Sequence, residues 1–263
     1  MNFSQIELRK LEISVTSILK DLQQLLIQEW QRAQAVSLKA LREPVTEIDI
    51  RVEKEIRGAL AKLLPEAGFI VEEGDSLKGK EYQWVIDPID QTKNFIGHIP
   101  LFYTQVALVY RDEPILGVIL NPVSGQLFSA SSGNGTKLNG ETIIKNVKDT
   151  LSEALVDIDF GGNSEGVDWK MPALSALAQA AYRIRITGGA FAPYLITGGI
   201  DAFISLSEVT KIVDQMPRII LTRELGLTSE ILDIGGRRVY LAGSKTVFDE
   251  IRKILTEMVV AKS

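Results

Sequence analysis

The 263 residues are 45% hydrophobic and 24% charged, which suits a folded protein with a sizeable core, as one large domain or two packed halves. A formal charge of −5 argues against a nucleic-acid partner, which would need clustered Lys and Arg, and no apolar run reaches the roughly 20 residues that span a bilayer. There is no cysteine and a single histidine, His98, so Cys/His zinc sites, disulfides and thiol nucleophiles are excluded and carboxylates with metals must carry any hydrolysis.

Leu8, Leu11, Val15, Ile18, Leu22, Leu25 and Leu26 recur at spacings of three and four and predict a long amphipathic helix over residues 4–35. Its acidic and polar residues do not read as a secretory signal, and a cytoplasmic location is expected. Residues 37–44 break the pattern, and 46–64 read as a second helix capped by Thr46 or Asp49. Short β-like runs follow at 69–71, 84–86, 104–110, 115–120 and 127–130, with turn signals at 111–114, 121–122 and 133–135. Residues 104–130 read as an antiparallel meander. Beyond about residue 150 strands (155–160, 184–186, 202–205, 239–242) alternate with helices (172–181, 214–225, 246–260). The small-residue turn Thr187-Gly188-Gly189-Ala190 is expected to open one more helix. The expected division is an N-terminal α+β half over 1–150 and a C-terminal α/β half over 151–263, with a site between them.

The chemistry concentrates where the apolar run Trp84-Val85-Ile86 ends in Asp87-Pro88-Ile89-Asp90. Asp-Pro could begin a turn and Asp90 could cap a helix. That leaves Asp87 unexplained, and a second acidic pair, Glu72-Glu73, follows the run Phe69-Ile70-Val71. Three carboxylates meeting at one sheet edge would repel and raise each other's pKa, and a divalent cation such as magnesium resolves the repulsion. Backbone amides after Asp90, where a helix could start, offer an anion site. His98, in Gly97-His98-Ile99-Pro100, reads as a solvent-facing loop residue.

The string Asp87-Pro88-Ile89-Asp90-Gln91-Thr92-Lys93-Asn94-Phe95 resembles the signature of the inositol monophosphatase superfamily, magnesium-dependent, lithium-sensitive phosphomonoesterases. The likeness spans nearly the whole chain. Val45-Thr46-Glu47-Ile48-Asp49 is similar to the family's early Val-Thr-x-x-Asp, and Val71-Glu72-Glu73 to its Gly-Glu-Glu. Residues 114–119 and 134–140 resemble its central hairpins, and 185–190 with 198–202 its later glycine-rich turn and strand. The resemblance implies a layered αβαβα sandwich of the α/β (α+β) class, its N-terminal half built on a largely antiparallel sheet.

It also implies roles. Glu72, Asp87, Asp90 and Asp214, with the carbonyl of Ile89, would hold two or three magnesium ions. Asp49 and Thr92 would form a hydroxyl–carboxylate pair that, with Glu72, orients and deprotonates a metal-activated water. The amides of Gln91 and Thr92 would hold phosphate oxygens, and Lys93, Gly189, Ala190 and Arg218 would contact substrate, with Glu208 and Lys39 weaker candidates for contact with substrate or phosphate. The implied activity is release of phosphate from a small alcohol phosphate, inositol monophosphate first. Histidinol phosphate, fructose 1,6-bisphosphate and 3′-phosphoadenosine 5′-phosphate are alternatives, as is a catalytically degenerate ligand-binding relative. A carboxylate glycosidase is weaker still. A homodimer with no nucleic-acid or membrane partner is expected.

Two departures stand out. The family usually has glycine where this chain has Gln91, whose amide could serve a helix start without positive φ. Its Trp-Asp-x-Ala-Ala-Gly is replaced by Val213-Asp214-Gln215-Met216-Pro217-Arg218. Pro217 is expected in a helix's first turn, where its missing amide costs little. Arg218 reads either as an exposed helix residue or as a cation facing the substrate.

Overall fold

The structure, a computed structural model, describes residues 3–32, 47–79, 81–161, 166–189, 192–207 and 212–260. Met1–Thr142 together with Lys211–Glu224 make one compact unit, and Ile143–Thr210 with Leu225–Ser263 the other.

The first unit is built on a seven-stranded sheet whose strands lie side by side in chain order. They are β1 (Gly68–Val71), β2 (Tyr82–Asp90), β3 (Tyr103–Tyr110), β4 (Glu113–Leu120), β5 (Leu127–Ser131), β6 (Thr136–Leu138) and β7 (Glu141–Thr142). Only β1–β2 is parallel; every other pair is antiparallel, so the expected meander is there. Between β2 and β3 sits the short α3 (Thr92–Ile96).

Alternation along the strands gives each face a different partner. Trp84 and Ile86 of β2, Val106 and Leu108 of β3, and Leu116 and Val118 of β4 share a core with two helices. These are α1 (Gln5–Arg32), through Val15, Leu19, Leu22 and Leu26, and α2 (Glu47–Leu63), through Val52, Ile56 and Leu60. The periodic leucines predicted this side of the unit. A buried carboxylate also ties α1 to the sheet: Glu12 accepts from Ser129 Oγ at 2.7 Å and Ser131 Oγ at 2.6 Å.

The opposite face, through Val85, Ala107 and Val109, packs on Val213 and Met216 of α6 (Ile212–Glu224). This helix comes late in the chain yet belongs to the first unit. Gly117 lets it approach: a Cβ there would lie 2.5 Å from Ile220 Cγ2 and 2.9 Å from the Pro217 carbonyl oxygen. Pro217 lies inside α6, in its second turn rather than the expected first, and so withholds the amide that the Val213 carbonyl would otherwise receive.

The second unit carries a five-stranded mixed sheet in the order β11-β12-β10-β8-β9. Its strands are β8 (Leu155–Asp159), β9 (Arg183–Arg185), β10 (Ala202–Ser205), β11 (Thr228–Asp233) and β12 (Arg238–Gly243). β9, β8 and β10 run parallel, and β12 and β11 add antiparallel neighbours. Trp169 and Leu177 of α4 (Val167–Ala180) and Phe248, Ile251 and Leu255 of α7 (Lys245–Val260) bury against Val156, Ile158, Ile204, Val239 and Leu241. A short α5 (Ala192–Thr197) follows the glycine turn. α4 begins five residues before the predicted start and carries Pro172 in its interior. β11, which was not predicted, mixes polar and apolar residues at an edge, with only Ser229 fully buried. The mixed α/β class is as expected, with seven α-helices and two sheets among the described residues. No described helix is long and apolar enough to cross a membrane.

Candidate metal centre

β2 ends in two carboxylates three residues apart, a spacing that in an unbroken strand points side chains to opposite faces. Asp87 pairs with Gln105 and Asp90 with Tyr103, and the register shifts between them. β2 thus takes three steps against two on β3, a bulge that re-aims Asp90 toward the side of Asp87. Pro88, which has no amide to donate, sits in the bulge, and its carbonyl accepts from Thr104 Oγ1 at 2.8 Å. Asp214, on the α6 that crosses this face, completes the group: one carboxylate oxygen from each of Asp87, Asp90 and Asp214 lies within 4.8 Å of the others.

Glu72, next after β1, lies near enough to the Asp87 carboxyl to raise its pKa. Its neighbour Glu73 is held from α2, the Glu73 amide donating to Glu53 Oε2 at 3.0 Å. Burial pushes the Asp87 carboxyl well above the usual carboxylate range, and the charges of Asp90, Glu72 and Asp214 add to it. Burial raises Asp90 as well, with the Arg218 guanidinium working against the rise. Gln105 Nε2 donates to Asp87 Oδ2 at 3.0 Å, whereas Asp87 Oδ1 is buried with no hydrogen-bond partner. A buried, unsatisfied oxygen in a crowd of carboxylates is costly. A divalent cation satisfies it, and an all-oxygen donor set selects hard ions of the magnesium and calcium kind.

Several expected residues stand differently from their sequence reading. Arg218 is not an exposed helix residue. It is buried on α6, and its Nη2 donates to Asp90 Oδ2 at 2.5 Å. Gln91 does take positive φ (φ 66°, ψ 49°) as the residue before α3, the left-handed region that favours glycine. The Thr92 hydroxyl donates to the Ile89 carbonyl at 3.0 Å. Asp49 is buried on α2, and Ile89 is buried in the bulge of β2.

Lys93 is exposed. Gly189 (φ 92°) follows Gly188 in a turn of the second unit, where Thr187 anchors to Asp157 through its amide at 2.9 Å and its hydroxyl at 2.5 Å. Ala190, Glu208 and Lys39 lie outside the described residues. His98 is exposed in its loop, as read from the sequence. One participant is missing from the sequence reading: Gln105, a buried amide directly across from Asp87, signalled by its polar side chain inside an apolar strand.

Residues 7–263 match the sequence pattern of the inositol monophosphatase family. An inositol-1-monophosphatase of Rhizobium meliloti (strain 1021) is 30% identical over 229 residues, covering 85% of this chain and 85% of that protein. A Thermotoga maritima protein named fructose-1,6-bisphosphatase/inositol-1-monophosphatase is 29% identical over 259 residues, covering 95% of this chain and 97% of its own length. A solved IMPase structure from Thermotoga maritima aligns with a TM-score of 0.81 at 26% identity, covering 97% of this chain and 100% of that one.

Proposed function

The chain belongs to the inositol monophosphatase family, a family of phosphomonoester hydrolases, and from that premise we propose that it releases inorganic phosphate from a small alcohol phosphate, with inositol monophosphate as the preferred substrate. The observation that carries the proposal is the meeting of the Asp87, Asp90 and Asp214 carboxylates, together with a buried Asp87 oxygen that has no hydrogen-bond partner. We assign Glu72, Asp87, Asp90 and Asp214, with the Ile89 carbonyl, to holding magnesium. When bound, magnesium supplies the positive charge that phosphoryl transfer requires on the phosphoryl and leaving oxygens.

The remaining work falls to side chains. Gln105 fixes Asp87 by its bond to Oδ2. Glu72, with Asp49 and Thr92, orients the attacking water and takes its proton. Thr92 braces the Ile89 carbonyl, which keeps the bulge and the start of α3 in one arrangement. We assign the amides of Gln91 and Thr92 to holding phosphate oxygens, the Gln91 amide also acting on the Asp90 carboxylate, and exposed Lys93 offers a charge to any further anionic group on the substrate. A second reading, fructose 1,6-bisphosphate, draws on the double name of the Thermotoga maritima relative.

The test is phosphate release from inositol monophosphate, fructose 1,6-bisphosphate, histidinol phosphate and 3′-phosphoadenosine 5′-phosphate, with and without magnesium. The expected result is magnesium-dependent turnover, fastest on inositol monophosphate, inhibited by lithium and lost in Asp90→Asn. No magnesium-dependent release from any of the four, or full activity in Asp90→Asn, would overturn the proposal. The accompanying assembly we propose is a homodimer, read by light scattering on the eluted protein.

A further inference from the structure

The charge of the cluster is partly answered from within. Arg218 and Asp214 are both carried by α6, four residues and so one turn apart, and reach the same group of carboxylates. Arg218 Nη2 lies 2.5 Å from Asp90 Oδ2, and the two side chains are only 7% and 8% exposed. A guanidinium does not deprotonate in proteins, so it cannot yield its place by losing its charge. It is also a rigid planar fork whose bond commits one of the two Asp90 oxygens.

We propose that Arg218 is a built-in counter-cation that occupies the Asp90 side of the cluster and limits it to one divalent ion, where the same carboxylates without it would take two. The inference rests on the metal-binding reading above. The Arg218 guanidinium already answers the charge of Asp90 through Oδ2, so that carboxylate has less left to offer a second ion. The oxygen left without a hydrogen-bond partner is on the other carboxylate of β2, Asp87 Oδ1, a residue that also feels the charges of Glu72 and Asp214 and meets Asp214 in the cluster. One ion at that end completes a set of hard oxygen donors. A second ion next to Asp90 would face a fixed positive charge in a poorly hydrated site, where like charges repel far more than in water. Arg218 is thus a positioning residue, acting on metal occupancy through Asp90.

The experiment counts ions. Wild type, Arg218→Met, Arg218→Gln and Arg218→Lys are titrated with Mn2+ by calorimetry, and the loaded proteins are read by electron paramagnetic resonance. Methionine and glutamine remove the charge in an apolar and a polar form, so the test survives if one of them fails to fold. The expected result is one Mn2+ per wild-type chain with the spectrum of an isolated ion. The Met or Gln variant should take two, with a spin-coupled spectrum and at least a tenfold tighter overall affinity, and the Lys variant should return to one. Two ions in the wild type, or one ion in a folded charge-neutral variant, overturns the inference while leaving the metal reading standing. No Mn2+ bound by any of the four proteins overturns both.

Discussion

Arg218 and Asp90 form an ion pair at 2.5 Å in which neither side chain is more than a tenth exposed, yet the two residues are not equivalent in their surroundings. Asp90 lies among like charges, with Glu72 raising its pKa and its own charge raising that of Asp87. Arg218 lies among opposite ones. Removing one partner of a buried pair costs about 3–5 kcal/mol when the other is left uncompensated. Arg218→Met leaves Asp90 in that position, whereas Asp90→Asn leaves Arg218 with other carboxylates close by. In urea unfolding of the metal-free protein, Arg218→Met is expected to lose about 3–5 kcal/mol and Asp90→Asn clearly less. Magnesium should narrow the deficit of Arg218→Met, since a ligand of the native state stabilises it by mass action. The reverse order of the two variants would refute this account of the cluster.

Gln91 stores strain at the start of α3. A non-glycine residue in the left-handed region costs about 1–2 kcal/mol, and Gln91 sits there at φ 66° and ψ 49°. Glycine removes that cost but adds roughly 0.5–1 kcal/mol of unfolded-state entropy. Gln91→Gly is therefore expected to stabilise the protein by between zero and about 1.5 kcal/mol, the difference of these terms. Gln91→Val should destabilise it, because a β-branched residue is the least tolerant of positive φ. Denaturant midpoints of the three proteins check the order Gly, Gln, Val.

Gly117 couples packing to the candidate metal centre. A Cβ there would stand 2.5 Å from Ile220 Cγ2 and 2.9 Å from the Pro217 carbonyl oxygen, so α6 would have to shift away from β4. Overpacking of this kind costs typically about 1–3 kcal/mol. Because α6 carries Asp214 and Arg218, the shift should reach the carboxylates. Gly117→Ala is expected to lose about 1–3 kcal/mol of stability and to weaken Mn2+ binding, although it touches no ligand. Unaltered Mn2+ affinity in a destabilised Gly117→Ala would show that α6 does not position the site.

What could be read from the chain before its structure follows from how local each feature is. The leucine-type stripe of α1 and the carboxylates closing β2 are patterns within one segment, and both were legible. The bulge between Asp87 and Asp90 is not, because it is defined by the partner strand β3. The placement of α6 on the first unit's sheet was equally hidden, since nothing within residues 212–224 states which surface Val213 and Met216 will meet. The sequence leaves Arg218 open between a solvated helix residue and a substrate-side cation, and only its neighbours across the sheet make it a buried partner of Asp90. Gln91 was misread for a related reason: a helix start does not by itself require positive φ. β11 escaped because a half-exposed edge strand needs no strict alternation.

Lys145 gives the second unit a pH dependence whose direction can be worked out. Its Nζ donates to the Leu195 carbonyl at 2.7 Å and the Ile200 carbonyl at 2.8 Å, and burial lowers its pKa from 10.5 to about 8, with Asp201 acting in the opposite direction. Below about pH 8 the lysine is protonated in both the folded and unfolded chain and contributes no slope. Between about 8 and 10.5 the unfolded chain holds a proton that the folded chain has released. Stability therefore rises with pH through that window, because the neutral amine no longer carries a desolvated charge and still donates hydrogen bonds. Lys145→Met removes the titration and leaves two carbonyls without their donor, a loss of about 1–3 kcal/mol at neutral pH. Urea midpoints at pH 7, 8, 9 and 10 should show the gap between wild type and Lys145→Met constant up to about pH 8 and widening above it. A gap that narrows above pH 8 would mean that the two carbonyls hold the charged ammonium more strongly than burial opposes it.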